Sequence, residues 1–176
     1  MSAMTFRPHQ RLTRSKHDLD PVCGMPVDAG APGTRFMGFE FRFCSEQCRE
    51  RFEAHPHLYI GHPGVPAPRQ RGEQIPKRRG FVLAAAPDPE QAEAVCKAVN
   101  ALMGIQECEV EGSTVWVSYD LLQATARQIE EAIARSGVSL DDTLPRRLSR
   151  AVLHYLEETE LANREHDAGD GGYHHH

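Results

Sequence analysis

Between residues 80 and 142 the apolar side chains alternate between a period of two and a period near 3.6, and each change of period marks an element. Phe81 to Ala85 reads as a strand. Asp88 then stands as a helix N-cap, Pro89 suits the first helical position, and Gln91 completes a capping box. Ala92, Val95, Cys96, Val99, Leu102 and Met103 follow at helical spacing until Gly104. Ile105 to Val110 is a second strand, Glu111-Gly112 a tight turn, and Thr114 to Tyr119 the returning strand. On that strand Val115, Val117 and Tyr119 take one face, and Trp116 and Ser118 the other. Leu122, Ala126, Ile129, Ala132 and Ile133 outline a second amphipathic helix closed by Gly137, and Val138 to Leu140 a short last strand. The order βαββαβ predicts a ferredoxin-like sandwich over 80–142, with two helices on one face of an antiparallel sheet.

Upstream, Phe39, Phe41 and Phe43 alternate with polar residues after Met37-Gly38, which predicts a strand pair with Phe36 on the other arm. Ser45 is the N-cap of a helix through Cys48, Arg49, Phe52 and Glu53. With Tyr59 these residues outline a small module over 18–60, too short to stand on its core alone, so that metal binding would supply folding free energy. Residues 61–79 hold four prolines and three glycines and end on Lys77-Arg78-Arg79, which reads as a semi-extended basic linker. Beyond the sandwich, 143–166 predicts one more helix, with Pro145 in its first turn and Leu148, Val152, Tyr155 and Leu156 as an apolar stripe. That helix is expected to pack on the open sheet face, with pairing to another copy as the alternative; oligomeric state stays open. Residues 1–17 and 167–176 read as flexible tails, the second ending in His174, His175 and His176, a purification tag or a metal-scavenging tail. The fold class is thus α+β: a small treble-clef or zinc-ribbon-like module, then a ferredoxin-like domain with an added C-terminal helix.

Composition narrows the function classes. A net charge of -5 gives no case for nucleic acid. No run of about 20 apolar residues occurs to span a bilayer, and 1–16 lacks the apolar stretch of a signal peptide, so no membrane insertion and a cytoplasmic location are expected. The P-loop pattern and the phosphorylation motif Asp-Lys-Thr-Gly-Thr are both missing, and no nucleophile–base set can be argued from the scattered residues. The chain is not read as an enzyme.

Chemistry concentrates in Asp20-Pro-Val-Cys-Gly-Met25 and Phe43-Cys-Ser-Glu-Gln-Cys48. Three of the five cysteines lie here, spaced Cys-x20-Cys-x3-Cys, and Asp20 stands where a Cys-x2-Cys-Gly knuckle would carry its first cysteine. Asp20, Cys23, Cys44 and Cys48 are the candidate ligands of one zinc or copper ion. For Cu(I) the three thiolates alone would serve, with Met25 as an added soft donor. Cys48, in the first turn of a helix, is expected to be the most activated thiol. Cys96 and Cys108 fall on apolar positions and read as packing residues.

At Asp20-Pro-Val-Cys-Gly-Met-Pro-Val27, Phe41-Arg-Phe-Cys-Ser-Glu-Gln-Cys48, Phe52 and His55-Pro-His-Leu-Tyr59 the chain resembles a YHS domain, related to the TRASH metal-binding modules. The usual Asn-Pro of that family reads His55-Pro56. Over 80–142 the chain more weakly resembles a heavy-metal-associated (HMA) domain, at Leu102-Met-Gly-Ile105, Val115-Trp-Val-Ser-Tyr-Asp120, Ile129-Glu-Glu-Ala-Ile133 and Gly137. The two cysteine positions of such domains fall at Asp88 and Gln91, so the resemblance implies a degenerate domain without a metal site. Together these resemblances imply a metal-binding protein of heavy-metal homeostasis, a buffer, chaperone or transporter accessory, with a heavy-metal P-type ATPase or its metal-binding domain as partner. The alternative is a regulatory adaptor whose first module is folded by a structural zinc.

Overall fold

A computed structural model describes residues 19–170, with the side chains of Gly169 and Asp170 excepted. The expectations for 1–17 and for the terminal histidines lie outside the described residues.

The first module opens with a hairpin, β1 (Gly33–Phe36) and β2 (Phe39–Arg42), paired antiparallel with Phe36 opposite Phe39. Met37 and Gly38 both take positive φ, 49° and 84°, as a two-residue hairpin turn of the primed type requires. Helix α1 (Glu46–Ala54) starts where Ser45 Oγ accepts from Cys48 N at 3.3 Å, and a single turn, α2 (His57–Ile60), follows. Phe52 is the hub of this module, with ring centroids 4.8 Å from Phe41, 5.2 Å from Phe43 and 6.2 Å from Tyr59.

The second unit runs β3 (Pro76–Val82), α3 (Pro89–Asn100), β4 (Ile105–Glu111), β5 (Thr114–Asp120) and α4 (Ala126–Arg135), then the long α5 (Leu144–Asp170). The antiparallel sheet has the order β3-β5-β4. The expected last strand is reduced to a stub: Leu140 bridges Leu83, and Ala84 N donates to Ser139 O at 2.9 Å. With that stub beside β3, the order is that of a ferredoxin-like sheet. Both helix N-termini carry full capping boxes, Asp88 with Gln91 and Thr125 with Gln128. Val115, Val117 and Tyr119 are buried against Val95, Val99, Ile129, Ala132 and Ile133.

The expected linker is not a free connector. Pro68 and Ala67 are buried, Arg69 N donates to Leu58 O at 3.0 Å, and the chain turns back onto the first module. Gly61 makes this possible: its φ is 68°, and a Cβ there would lie 2.3 Å from Val65 O. Its last basic residues already belong to the sheet, because β3 begins at Pro76 and pairs with β5 from Asp120 onward. Lys77 is held there by Glu160 at 2.7 Å.

Helix α5 also departs from expectation. It does not cover the open sheet face, which carries its own polar lattice of Arg78–Glu109 at 3.3 Å and Arg78 stacked 5.5 Å from Trp116. Instead α5 lies along α2 and α4 and straps the two units together. Glu157, buried, accepts from Tyr119 Oη and from Ala126 N. His55 ring nitrogens meet Glu165 at 2.9 Å and Glu158 at 3.0 Å. The core is therefore continuous from Val22 and Phe52 through Tyr59 and Ile75 to Leu122 and Ile129.

Candidate metal centre

The first thiol comes from a knuckle. Asp20 N donates to Met25 O at 2.9 Å and Gly24 N to Asp20 O at 2.8 Å, with Gly24 at φ 80°. This reversal turns Cys23 toward the start of α1, which supplies Cys48, while Cys44 sits at the end of β2 just before the N-cap. Asp20 is buried and pins both loops. Its Oδ1 accepts from Val22 N at 2.8 Å and more loosely from Cys23 N at 3.4 Å, and its Oδ2 accepts from Cys44 N at 2.8 Å.

Sulfur–sulfur distances are 3.4 Å for Cys23–Cys44 and 3.7 Å for Cys44–Cys48. One donor atom from each of Asp20, Cys23, Cys44 and Cys48 lies within 4.8 Å of all the others. A metal–sulfur bond of about 2.3 Å sets tetrahedral sulfurs about 3.8 Å apart. The cluster therefore fits a single thiolate-bound ion, and among the described residues it is the one group of this kind. Exposure is graded across it: Cys44 is exposed, Cys23 half-buried and Cys48 fully buried.

That gradient corrects the expectation for Cys48. The helix start favours its thiolate, but a hydrogen bond to Cys23 and complete burial favour its thiol, and its pKa is driven far upward. Burial and Asp20 push Cys44 up to about 12. Cys23 is the thiol pulled down, first by the hydrogen bond from Cys48 and further by Met25 N–H. Met25 thus serves the site through its backbone, while its side chain is half exposed.

Three contributors escaped the sequence reading. Gln47, between Cys44 and Cys48, donates to Met103 O and Gln123 O, both at 3.0 Å, and accepts from Met103 N at 2.9 Å. Its position one residue before Cys48 was the only available signal. Arg69, from the supposed linker, reaches Cys23 O at 3.5 Å and Asp120 at 3.9 Å. His55, the residue that caps the end of α1, joins it to α5. Asp88 and Gln91 hydrogen-bond to each other, as the capping pattern predicts.

Residues 19–63 match the YHS domain family. Over 43 residues the chain is 49% identical to a copper-transporting P-type ATPase of Rhizobium leguminosarum bv. viciae, covering 23% of this chain and 5% of that protein. The match thus spans about a twentieth of the relative's length. The solution structure of apo-CopP from Helicobacter pylori aligns with 36% of this chain and 98% of its own, at 21% identity and a TM-score of 0.34, too low a score to bear on the fold. Residues 19–63, with the thiol cluster at their centre, form a YHS-like metal-binding module.

Proposed function

We propose that Cys23, Cys44 and Cys48 carry one Cu(I) ion as cargo and that Asp20 is a positioning residue. One observation supports this reading above the others: both Asp20 oxygens are already committed to backbone N–H groups of the two cysteine loops. Three soft thiolates and no free hard donor suit a soft ion. The exposed Cys44 offers an incoming thiolate a route to the ion, so the cargo exchanges by ligand replacement rather than by release into water. The 49% identity to a segment of a copper-transporting ATPase points to a heavy-metal transporter as the exchanging partner, and to a cytoplasmic homeostatic role with no catalytic step. No helix among the described residues is long and apolar enough to cross a membrane.

The second reading is a structural zinc. It is favoured by the closeness of an Asp20 oxygen to all three sulfurs, since each carboxylate oxygen keeps a second lone pair. Asp20→Asn separates the two. If Asp20 only positions the loops, Cu(I) and Zn(II) affinities, measured against calibrated chelators, fall by a similar factor. A loss for zinc about a hundredfold greater than for copper assigns Asp20 as a ligand and supports the zinc reading.

A further inference from the structure

The second unit holds two cysteines of its own, and the fold brings them together. Cys108 lies in the middle of β4, an edge strand of the sheet, opposite Val117 of β5. Residues opposite each other in a sheet share a face. Val117 is completely buried and Cys108 packs against the same core, so Cys108 faces the helices. Helix α3 lies against β4 on that side. It presents Cys96 there, between the buried Val95 and Val99. The two thiols are hydrogen-bonding neighbours, and both keep part of their surface in solvent. Packing accounts for either cysteine alone. It does not call for two sulfurs in contact across a helix–strand layer, both reachable from water.

Charge decides what such a pair can do. Strand β4 carries Glu107, Glu109 and Glu111 and no Lys or Arg, and Glu109 disfavours a negative charge at Cys108. Two thiolates around a monovalent soft cation would keep a net negative charge in this acidic, half-buried place. A disulfide is neutral and has no charge to desolvate. Burial, with the Cys96 thiol beside it, holds Cys108 protonated well above neutrality, which leaves Cys96 to react first.

We propose that Cys96 and Cys108 are a redox pair that low-molecular-weight disulfides oxidise to an intramolecular disulfide. Cys96, its proton lost to water, attacks one sulfur of the external disulfide. That S–S bond breaks, one thiolate leaves, and a mixed disulfide forms on Cys96. Cys108 then gives its proton to water, attacks Cys96 Sγ and expels the second thiolate. The two departing thiolates take up the two protons, so the external disulfide gains two electrons and leaves as two thiols. The new bond closes residues 96–108 into a loop. That loop carries Met103, the residue on which Gln47 bears, so oxidation braces the mount of the cysteine helix α1.

Oxidised glutathione is the probe. The full chain is treated anaerobically, with a chelator to exclude metal-catalysed oxidation, then quenched by alkylation and digested with trypsin, which cuts after Lys97 between the two cysteines. Wild-type monomer should yield residues 80–97 and 98–127 as one linked pair that reduction separates. The link should form several times faster in the folded chain than in urea, because the fold holds the sulfurs in place. Cys96→Ser should abolish the link and leave Cys108 alkylated, and Cys108→Ser should trap glutathione on Cys96. The exposed Cys44 reports that the oxidant has acted. Cys96 and Cys108 recovered free, or each bound to glutathione, in chains whose Cys44 has reacted overturns the proposal. So does a link found only between chains, or one formed no faster in the folded chain than in urea.

Discussion

The YHS module and the ferredoxin-like unit divide chemistry from scaffold. The first places three sulfurs and a buried carboxylate within 4.8 Å of one another, yet it has only a short aromatic core. The second has a complete sandwich core, and its first helix opens on a capping box at Asp88 and Gln91. A reactive thiol cluster needs backbone turns held against their own electrostatics, and a module this small cannot hold them alone. Here the hold is external. Gln47 clamps the cysteine helix to the loops at Met103 and Gln123, and Tyr59 Oη donates to Leu122 O at 2.7 Å. Because the two share one core, metal should add to the stability of the first module without being its sole source, contrary to the expectation from its length.

The largest expected effect breaks the comparison on the chemical side. Metal binding requires thiolates, and Cys44 and Cys48 are held protonated well above neutrality while Cys23 is pulled down. Each proton displaced makes binding more favourable as pH rises. Apparent affinity should therefore climb with pH by at least about two decades per unit between about pH 6 and 8, one for each proton displaced from Cys44 and Cys48. Cys48→Ser should lower affinity by about a hundredfold or more and reduce that slope by about one decade per unit. Chelator competition across the pH range measures both. A pH-independent affinity would mean that the thiols are already ionised, and would remove the argument that burial sets their protonation.

Gln47→Ala acts on the junction instead of either unit. It removes three hydrogen bonds and strands the Met103 N–H, which should cost about 2 kcal/mol or somewhat more. Thermal unfolding of the metal-free chain should show the loss as a lower melting temperature or as separated transitions for the two units. An unchanged single transition would show that the clamp is dispensable.

Periodicity made most of the second unit legible, because its helices and strands each satisfy a local pattern: the capping boxes at Asp88 and Thr125 and the alternation through Val115, Val117 and Tyr119 all reappear in the structure. Spacing also brought the four candidate ligands together, since the knuckle and the N-capped helix are local features. What stayed hidden depends on tertiary partners. Residues 61–75 look like a linker because prolines and glycines dominate them, but Ala67, Pro68 and Ile75 find burial against other segments. Helix α5 shows two apolar rows, and sequence alone favoured the row that remains exposed, Leu148 to Leu156. The inward row runs through Glu157, a carboxylate that satisfies Tyr119 and Ala126 from a buried position, and a polar residue there masks the face. The protonation order of the thiols was equally hidden: helix position argued for Cys48, and burial with a neighbouring thiolate outweighs it.

The smallest effect sharpens the scaffold side. At Asp88 the side chain accepts from Gln91 N at 2.8 Å, and Gln91 Oε1 accepts from Asp88 N at 3.1 Å, in an exposed setting. Asp88→Ala removes the N-cap and should cost about 1 kcal/mol, a shift of a few degrees in melting temperature. Metal affinity should not move, because the cap sits at the start of α3, whereas Gln47 holds Met103, just beyond the opposite end of that helix. A change in metal affinity on Asp88→Ala would show that the start of α3 communicates with the cysteines through that helix. The division between a chemical module and an inert scaffold would then fail at the position where it looks most complete.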